Sequence, residues 1–245
     1  MNHTLRAVTA LVLALLVAPL ALADEAAIRK NIAERIPNFP KIDEVTKTDI
    51  PGLYEVRVMD TEIFYTDEQG NYVIQGGQLI DTKTRTNLTE QRIGKLTAID
   101  FKTLPLKDAM VWKQGTGERK LVVFADPNCG YCKKFERDLQ SVKDVTVYTF
   151  LYPILGGDSP QKSQQIWCAK DNIKTWRDWM IKGTPIADSP TCDTSALTRN
   201  LALGRKHRIT GTPGVVYEDG KMQPGAVGTE AVERQLAASK AKSNG

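Results

Sequence analysis

Histidine and cysteine are both scarce in this chain. Of its 245 residues only two are histidine, His3 and His207, and four are cysteine, Cys129, Cys132, Cys168 and Cys192. A structural zinc site ordinarily takes two paired ligand knuckles, whereas one Cys-x-x-Cys and an isolated His207 supply one, so no metal and no other cofactor is expected. Past the first two dozen residues no apolar run approaches the length needed to cross a bilayer. Blocks of one charge are also missing. The 33 Lys and Arg are scattered among 29 Asp and Glu, which argues against a nucleic-acid partner. What remains is an ordinary globular composition, 41% hydrophobic and 25% charged.

The long apolar run that does exist lies at the very start. Arg6 precedes an almost wholly apolar stretch from Ala7 to Leu20, and Ala21-Leu22-Ala23 follows as a small-x-small site. This pattern predicts a signal peptide over 1–23, cleaved to give a mature chain beginning at Asp24. A membrane anchor is the competing reading, but the run is short for a span and Pro19 interrupts its end. Export places the cysteines where disulfides persist.

Cys129-Gly130-Tyr131-Cys132 follows the apolar strand pattern Lys120–Phe124 and opens a helix, in which Cys132, Phe135, Leu139 and Val142 form one apolar face. Pro127 and Asn128 mark the entry, so Cys129 falls in the first turn. Unbonded backbone N–H groups and the positive end of the helix dipole stabilise a thiolate there. Cys129 is thus the candidate nucleophile, and Cys132, on the shielded side, the candidate second thiol. Lys133 and Lys134 either add positive potential or form a solvated face.

Four cysteines allow three pairings. Spacing favours Cys129 with Cys132 and Cys168 with Cys192. A bridge closing the 25 residues from Cys168 to Cys192 contributes about 3–4 kcal/mol in the loop-entropy account, against about 2 kcal/mol for the CGYC ring. The long bridge reads as a structural disulfide and the short one as a redox couple.

Around the motif the patterning changes twice. Ile28, Ile32 and Ile36 recur at four-residue steps, an amphipathic helix stopped by Pro37 and Pro40. Strand patterns follow at Leu53–Val58, Glu62–Thr66 and Tyr72–Gln75, with a turn at Asp67–Asn71. Such a small meander leaves strand edges open to a second copy. Asn87–Phe101 reads as a polar connecting helix. From Leu104 the pattern is strand, helix, strand, with a second strand at Val145–Leu151. A helical stretch from about Ser159 to His207 carries Cys168 and Cys192, and its Trp176 and Trp179 read as core packing. Gly211-Thr212-Pro213-Gly214 then leads into the strand Val215–Tyr217, with a turn at Asp219-Gly220 and a last helix from Thr229.

A Cys-x-x-Cys at a helix start after a buried strand, with Thr-Pro before a later strand and hairpin, resembles the thioredoxin fold. That resemblance implies a cis Pro213 facing the two thiols, with the backbone at Thr212 holding a client chain. More narrowly, CGYC, Ile166-Trp-Cys168-Ala-Lys170, Cys192 and Gly211-Thr-Pro213 together resemble the DsbC family of periplasmic disulfide isomerases over nearly the whole mature chain. The implied architecture is an α/β thioredoxin-like fold with a helical insertion, plus a small α+β, cystatin-like N-terminal dimerisation domain joined by a linker helix. The implied boundaries are 24–84 for the dimerisation domain, 85–103 for the linker helix and 104–245 for the catalytic domain. The implied activity is reshuffling of wrong disulfides in folding exported proteins, with chaperone activity beside it, re-reduction by the membrane reductase DsbD, and a homodimer. Thioredoxins carry Trp before the first cysteine, Gly-Pro between the two and a buried acid six residues upstream; Asn128, Gly130-Tyr131 and Val123 stand at those positions here. DsbG-like reductases of sulfenic acids, the alternative reading, typically have Pro where Gly130 lies. A mainly non-enzymatic chaperone is the other alternative.

Overall fold

The computed structural model describes residues 18–243. Most of the signal-peptide reading, residues 1–17, lies outside the described residues. The chain divides into two units, one ending at Leu96 and the other starting at Thr97.

In the first unit the isoleucine spacing forms α1 (Ala18–Arg35), where Ile28 and Ile32 are buried and Ile36 lies just past the end, exposed. Ile28 and Ile32 pack on an antiparallel meander of β1 (Ile42–Lys47), β2 (Leu53–Val58), β3 (Glu62–Asp67) and β4 (Val73–Gln75), arranged in that order. Alternation in β2 places Tyr54, Val56 and Val58 on the covered face with Phe64 of β3. The β3–β4 turn works because Asp67 accepts from the N–H groups of Asn71 (2.7 Å) and Tyr72 (2.9 Å). It also needs Gly70, whose φ is +65° and whose missing side chain would meet Ile28 and Ile32. Asp24 is tied into this unit by the Tyr54 hydroxyl (2.6 Å) and Lys47 (3.4 Å).

The expected linker helix is a different structure. Residues 80–87 form a small hairpin of β5 (Ile80–Asp81) and β6 (Thr86–Asn87), and α2 is only Leu88–Leu96. Thr89 meets the Tyr65 hydroxyl, while Arg92 pairs with Glu55 (2.9 Å) and Glu44 (2.7 Å), so α2 is fastened to the first sheet. The helix does not reach Phe101 for two reasons. Ile99 N–H is committed to Gly220 O (2.9 Å), and the Asp100 carboxylate caps a 3-10 turn at Phe101–Thr103.

The second unit has a five-stranded sheet. After a 3-10 turn at Leu106–Asp108 come β7 (Met110–Gln114), β8 (Arg119–Ala125), α3 (Gly130–Leu139) and β9 (Val145–Leu151). The insertion follows as α4 (Ser159–Cys168), α5 (Asn172–Arg177), a π-helical turn at Asp178–Lys182, and α6 (Ser195–Lys206). The chain ends with β10 (Gly214–Tyr217), β11 (Met222–Pro224) and α7 (Thr229–Ser243). Strand order is β11-β10-β8-β9-β7, with β8 and β9 parallel and the other pairs antiparallel. A parallel β8–β9 pair requires a crossover, which α3 provides. Val122, Phe124, Leu121 and Val123 are all buried because helices and loops cover both sheet faces. Cys168 and Cys192 are bonded to each other, Cα to Cα 5.6 Å, which ties the end of α4 to the segment before α6.

Candidate active site

Two strand ends bring the thiol pair and the Thr-Pro segment together. Phe124 of β8 lies opposite Gly214 of β10, so the chain leaving β8 toward α3 emerges beside Thr212-Pro213 entering β10. The Thr212–Pro213 peptide bond is cis. Cys129, at the N-cap of α3, has its Sγ 3.2 Å from the Thr212 carbonyl oxygen, and it accepts from Cys132 N–H at 3.3 Å. Both are free cysteines in this structure, and both are buried.

The connection from β8 into α3 is organised by Asp126, a fully buried carboxylate. It accepts from Asn128 N–H (2.8 Å), Leu155 N–H (3.0 Å) and the Ser159 hydroxyl (2.7 Å), while its carbonyl accepts from Cys129 N–H (3.1 Å). Those bonds fix the backbone that presents Cys129 and satisfy an otherwise costly buried polar group. Asn128 extends the network by donating to Asp158 and Ser159 and accepting from Lys162. The sequence reading did not include Asp126. Its signal was an acidic residue two positions before Asn128, at the loop after a buried strand, where Asx turns form.

The two thiols differ in acidity for stated physical reasons. The Cys132 thiol, donating to the Cys129 sulfur, lowers Cys129 most. Burial opposes this, while the Thr212 hydroxyl and the backbone N–H groups of Cys132 and Tyr131 reinforce it. The result is about 5, well below the ordinary thiol value of 9.0. The Thr212 Oγ is buried without a fixed hydrogen-bond partner, so its proton is available to a thiolate beside it. Cys132, only 1% exposed, moves the other way: burial raises it first, and the adjacent Cys129 thiolate adds to the effect. Such a pair holds one thiolate and one protected thiol at neutral pH. Cys129 is itself only 5% exposed, with the side chain of Tyr131 beside it 71% exposed.

Behind the thiols, α3 buries Cys132, Phe135, Leu139 and also Glu136. Trp176 Nε1 donates to Glu136 Oε1 at 2.7 Å, whereas Oε2 is buried without a partner. Burial pushes this carboxyl up to about 7 against the pull of the Trp176 hydrogen bond and the Arg177 charge. Trp176 is core, as the periodicity implies. Trp179 is half-buried, packed against the same core beside the CGYC entry and donating to Pro127 O at 2.6 Å. Both tryptophans therefore pack with the core, Trp176 inside it and Trp179 at its margin. A three-residue step turns a side chain about 60° away on an α-helix, and here the helix also widens into a π turn between the two. The adjacent lysines likewise separate. Lys134 pairs with Asp138 (2.6 Å), whereas Lys133 lies over the Trp179 ring.

Comparison with known proteins agrees with both units. Residues 19–90 match the family model of the disulfide bond isomerase protein N-terminal domain, and residues 106–240 match that of a thioredoxin-like domain. The chain is 41% identical over 212 residues to a probable thiol:disulfide interchange protein DsbC of Bordetella pertussis, spanning 86% of this chain and 73% of that protein. It is 29% identical over 211 residues to the thiol:disulfide interchange protein DsbC of Escherichia coli K12, spanning 84% of each. Among solved structures, a disulfide interchange protein from Neisseria gonorrhoeae superposes with a TM-score of 0.53 at 34% identity, over 56% of this chain and 98% of that one. With an N-terminal and a thioredoxin-like domain matched in order along one chain, this protein belongs to the DsbC family of thiol:disulfide interchange proteins.

Proposed function

We propose that Cys129 is the attacking thiolate and Cys132 the resolving thiol of a periplasmic disulfide isomerase. The observation that carries this reading is the asymmetry of the pair: at the start of the helix Cys129 is lowered to about 5 by the hydrogen bonds to its sulfur, while Cys132, more deeply buried, is raised. At neutral pH roughly 99% of Cys129 is then thiolate. The thiolate attacks one sulfur of a mispaired client disulfide, forming a Cys129–client disulfide and releasing the other client sulfur as thiolate. A different client thiolate attacks the client sulfur bound to Cys129. A new client disulfide forms and Cys129 leaves as thiolate, with no net change in oxidation state. When no client thiolate arrives, Cys132 loses its proton and attacks Cys129 Sγ. The client then departs reduced, and two electrons have passed from the protein to it.

A low Cys129 value favours the reduced pair, so the couple is expected to be more oxidising than thioredoxin's at about −270 mV. Thr212 and cis-Pro213 offer a backbone beside Cys129 on which an extended client segment adds as a strand. Cys168–Cys192 is the structural staple. Export by the N-terminal signal puts the protein in the periplasm, where its resemblance to the DsbC family makes DsbD the reductant and misoxidised exported proteins the clients. The N-terminal unit joins two copies. In support of this, β4 is an unpaired sheet edge flanked by exposed Tyr72 and carrying exposed Ile74.

Refolding of a scrambled multi-disulfide protein, run beside sedimentation of the mature chain, tests this reading. Cys129→Ser abolishes isomerisation and Cys132→Ser retains part of it, in a protein that sediments as a dimer. Isomerisation by Cys129→Ser at the wild-type rate would refute the assignment.

A further inference from the structure

Two ammonium groups meet on one indole beside the thiol pair, and only one of them has a carboxylate. The Trp179 ring is pinned by its bond to Pro127 O, two residues before Cys129. Lys133 Nζ lies 3.9 Å from the ring centroid and Lys162 Nζ 4.5 Å. Lys162 is neutralised by Asp158 (3.0 Å) and bonded to Asn128 (2.8 Å). Lys133 has no carboxylate within ion-pair distance among the described residues, and neither has Arg137, one helical turn further on. Lys133 is half-buried, and burial first, then Lys162 and Arg137, push its ammonium below the ordinary lysine value. A cation with part of its water shell removed and like charges for neighbours lacks one thing, an anion.

The position suits a client chain. Lys133 N–H bonds Cys129 O at 3.0 Å, so the two residues are one turn apart, about 6 Å along α3. An extended chain advances about 3.3 Å per residue, which puts a carboxylate two residues from the attacked half-cystine within range. We propose that Lys133 and Lys162, stacked on Trp179, form a carboxylate-binding subsite that takes an Asp or Glu one or two residues from the attacked client cysteine. The subsite rests on Cys129 being the attacking sulfur. It makes the protein selective for disulfides with acidic flanks.

The test uses peptide disulfides that differ only in Glu, Gln or Lys at those flanking positions, reduced by the full mature protein at low and at high salt. At low salt the Glu peptide reacts about fivefold faster than the Gln peptide, equivalent to about 1 kcal/mol, and the Lys peptide slower than either. High salt brings the ratios close to one. Lys133→Gln removes the Glu preference at low salt, and Lys133→Arg, which keeps the charge, restores it. Each variant's own Gln-peptide rate normalises for changes in thiol reactivity or folding. Equal Glu and Gln rates in the wild type, or a Glu preference that survives Lys133→Gln, would overturn the subsite. Failure to reduce any peptide would overturn the thiol assignment instead.

Discussion

Replacing Thr212 by valine removes one hydroxyl beside Cys129 and nothing else of comparable size. The hydroxyl is one of several donors that hold Cys129 at about 5; the Cys132 thiol and the N–H groups of Cys132 and Tyr131 stay in place. A hydrogen bond to a charged group is worth about 1.5–3 kcal/mol, and 1.36 kcal/mol is one pH unit. Taking the lower end, because other donors remain, Thr212→Val raises Cys129 by about one unit, to about 6. Near pH 5 the thiolate fraction falls from about one half to about one tenth, a loss of about fivefold. Near pH 7 both proteins are more than about 90% thiolate.

Reactivity does not follow that fraction alone. A thiolate of higher pKa is the better nucleophile, by about threefold per unit at a Brønsted slope of about 0.4–0.5. The two effects oppose one another below pH 6 and only the second survives above it. The variant therefore attacks a small neutral disulfide about twofold more slowly near pH 5 and two- to threefold faster near pH 7, with profiles that cross between about pH 5 and 6. Ultraviolet absorbance of the thiolate gives the shift, and stopped-flow reduction of hydroxyethyl disulfide gives the rates. An unchanged titration, or a variant slower at both pH values, would refute the argument that this hydroxyl stabilises the thiolate.

Glu136 carries the opposite sign of pH dependence. Its folded value of about 7 lies above the 4.5 of an ordinary glutamate, so the folded protein holds the proton more tightly. Its contribution is most favourable below pH 4.5 and declines as pH rises through 7. Glu136→Gln keeps an acceptor for Trp176 and is expected to exceed the wild type by about 3 kcal/mol above pH 8, with no gain near pH 4. Denaturant titrations at the two pH values measure this, and parallel curves at both would contradict it. Opening Cys168–Cys192 by a double alanine substitution releases a loop with sequence separation 24. A loss of about 3–4 kcal/mol in unfolding free energy, read from denaturant titration, is expected, with CGYC thiolate titration unchanged.

Much of the fold was legible because its signals are local. The strands at Leu53–Val58 and Val145–Leu151 appear at the expected residues, and those at Glu62–Asp67 and Val73–Gln75 within one residue, since alternation and β-branched runs depend on neighbours in sequence. The β10–β11 turn is likewise where Asp219-Gly220 puts it, with Gly220 at φ +83°. The linker helix was misread because its end is decided from afar. Residues 97–100 have acceptable helical composition, yet Ile99 is claimed by the backbone of Gly220, more than a hundred residues later. Strand β1 went unread for a similar reason. Ile42–Lys47 has little apolar content of its own and becomes a strand by pairing with β2 across a bulge.

At the thiols the limit of sequence reading has a different cause. Helical periodicity identifies which residues of α3 face inward only through their polarity, so Cys132, Phe135 and Leu139 were visible and Glu136, on the same face, was not. A charge in the core pattern looks like the pattern's edge until a partner such as Trp176 is brought to it from the insertion. The same insertion separates two lysines that are adjacent and equivalent in sequence. Lys134 is completed four residues along its own helix by Asp138, whereas Lys133 is directed to an aromatic ring 46 positions away, where the charges that act on it are the cations Lys162 and Arg137. Local pairing rules account for Lys134. For Lys133 they predict nothing, and that is why a residue with no carboxylate partner among the described residues is the one that points to what the chain binds.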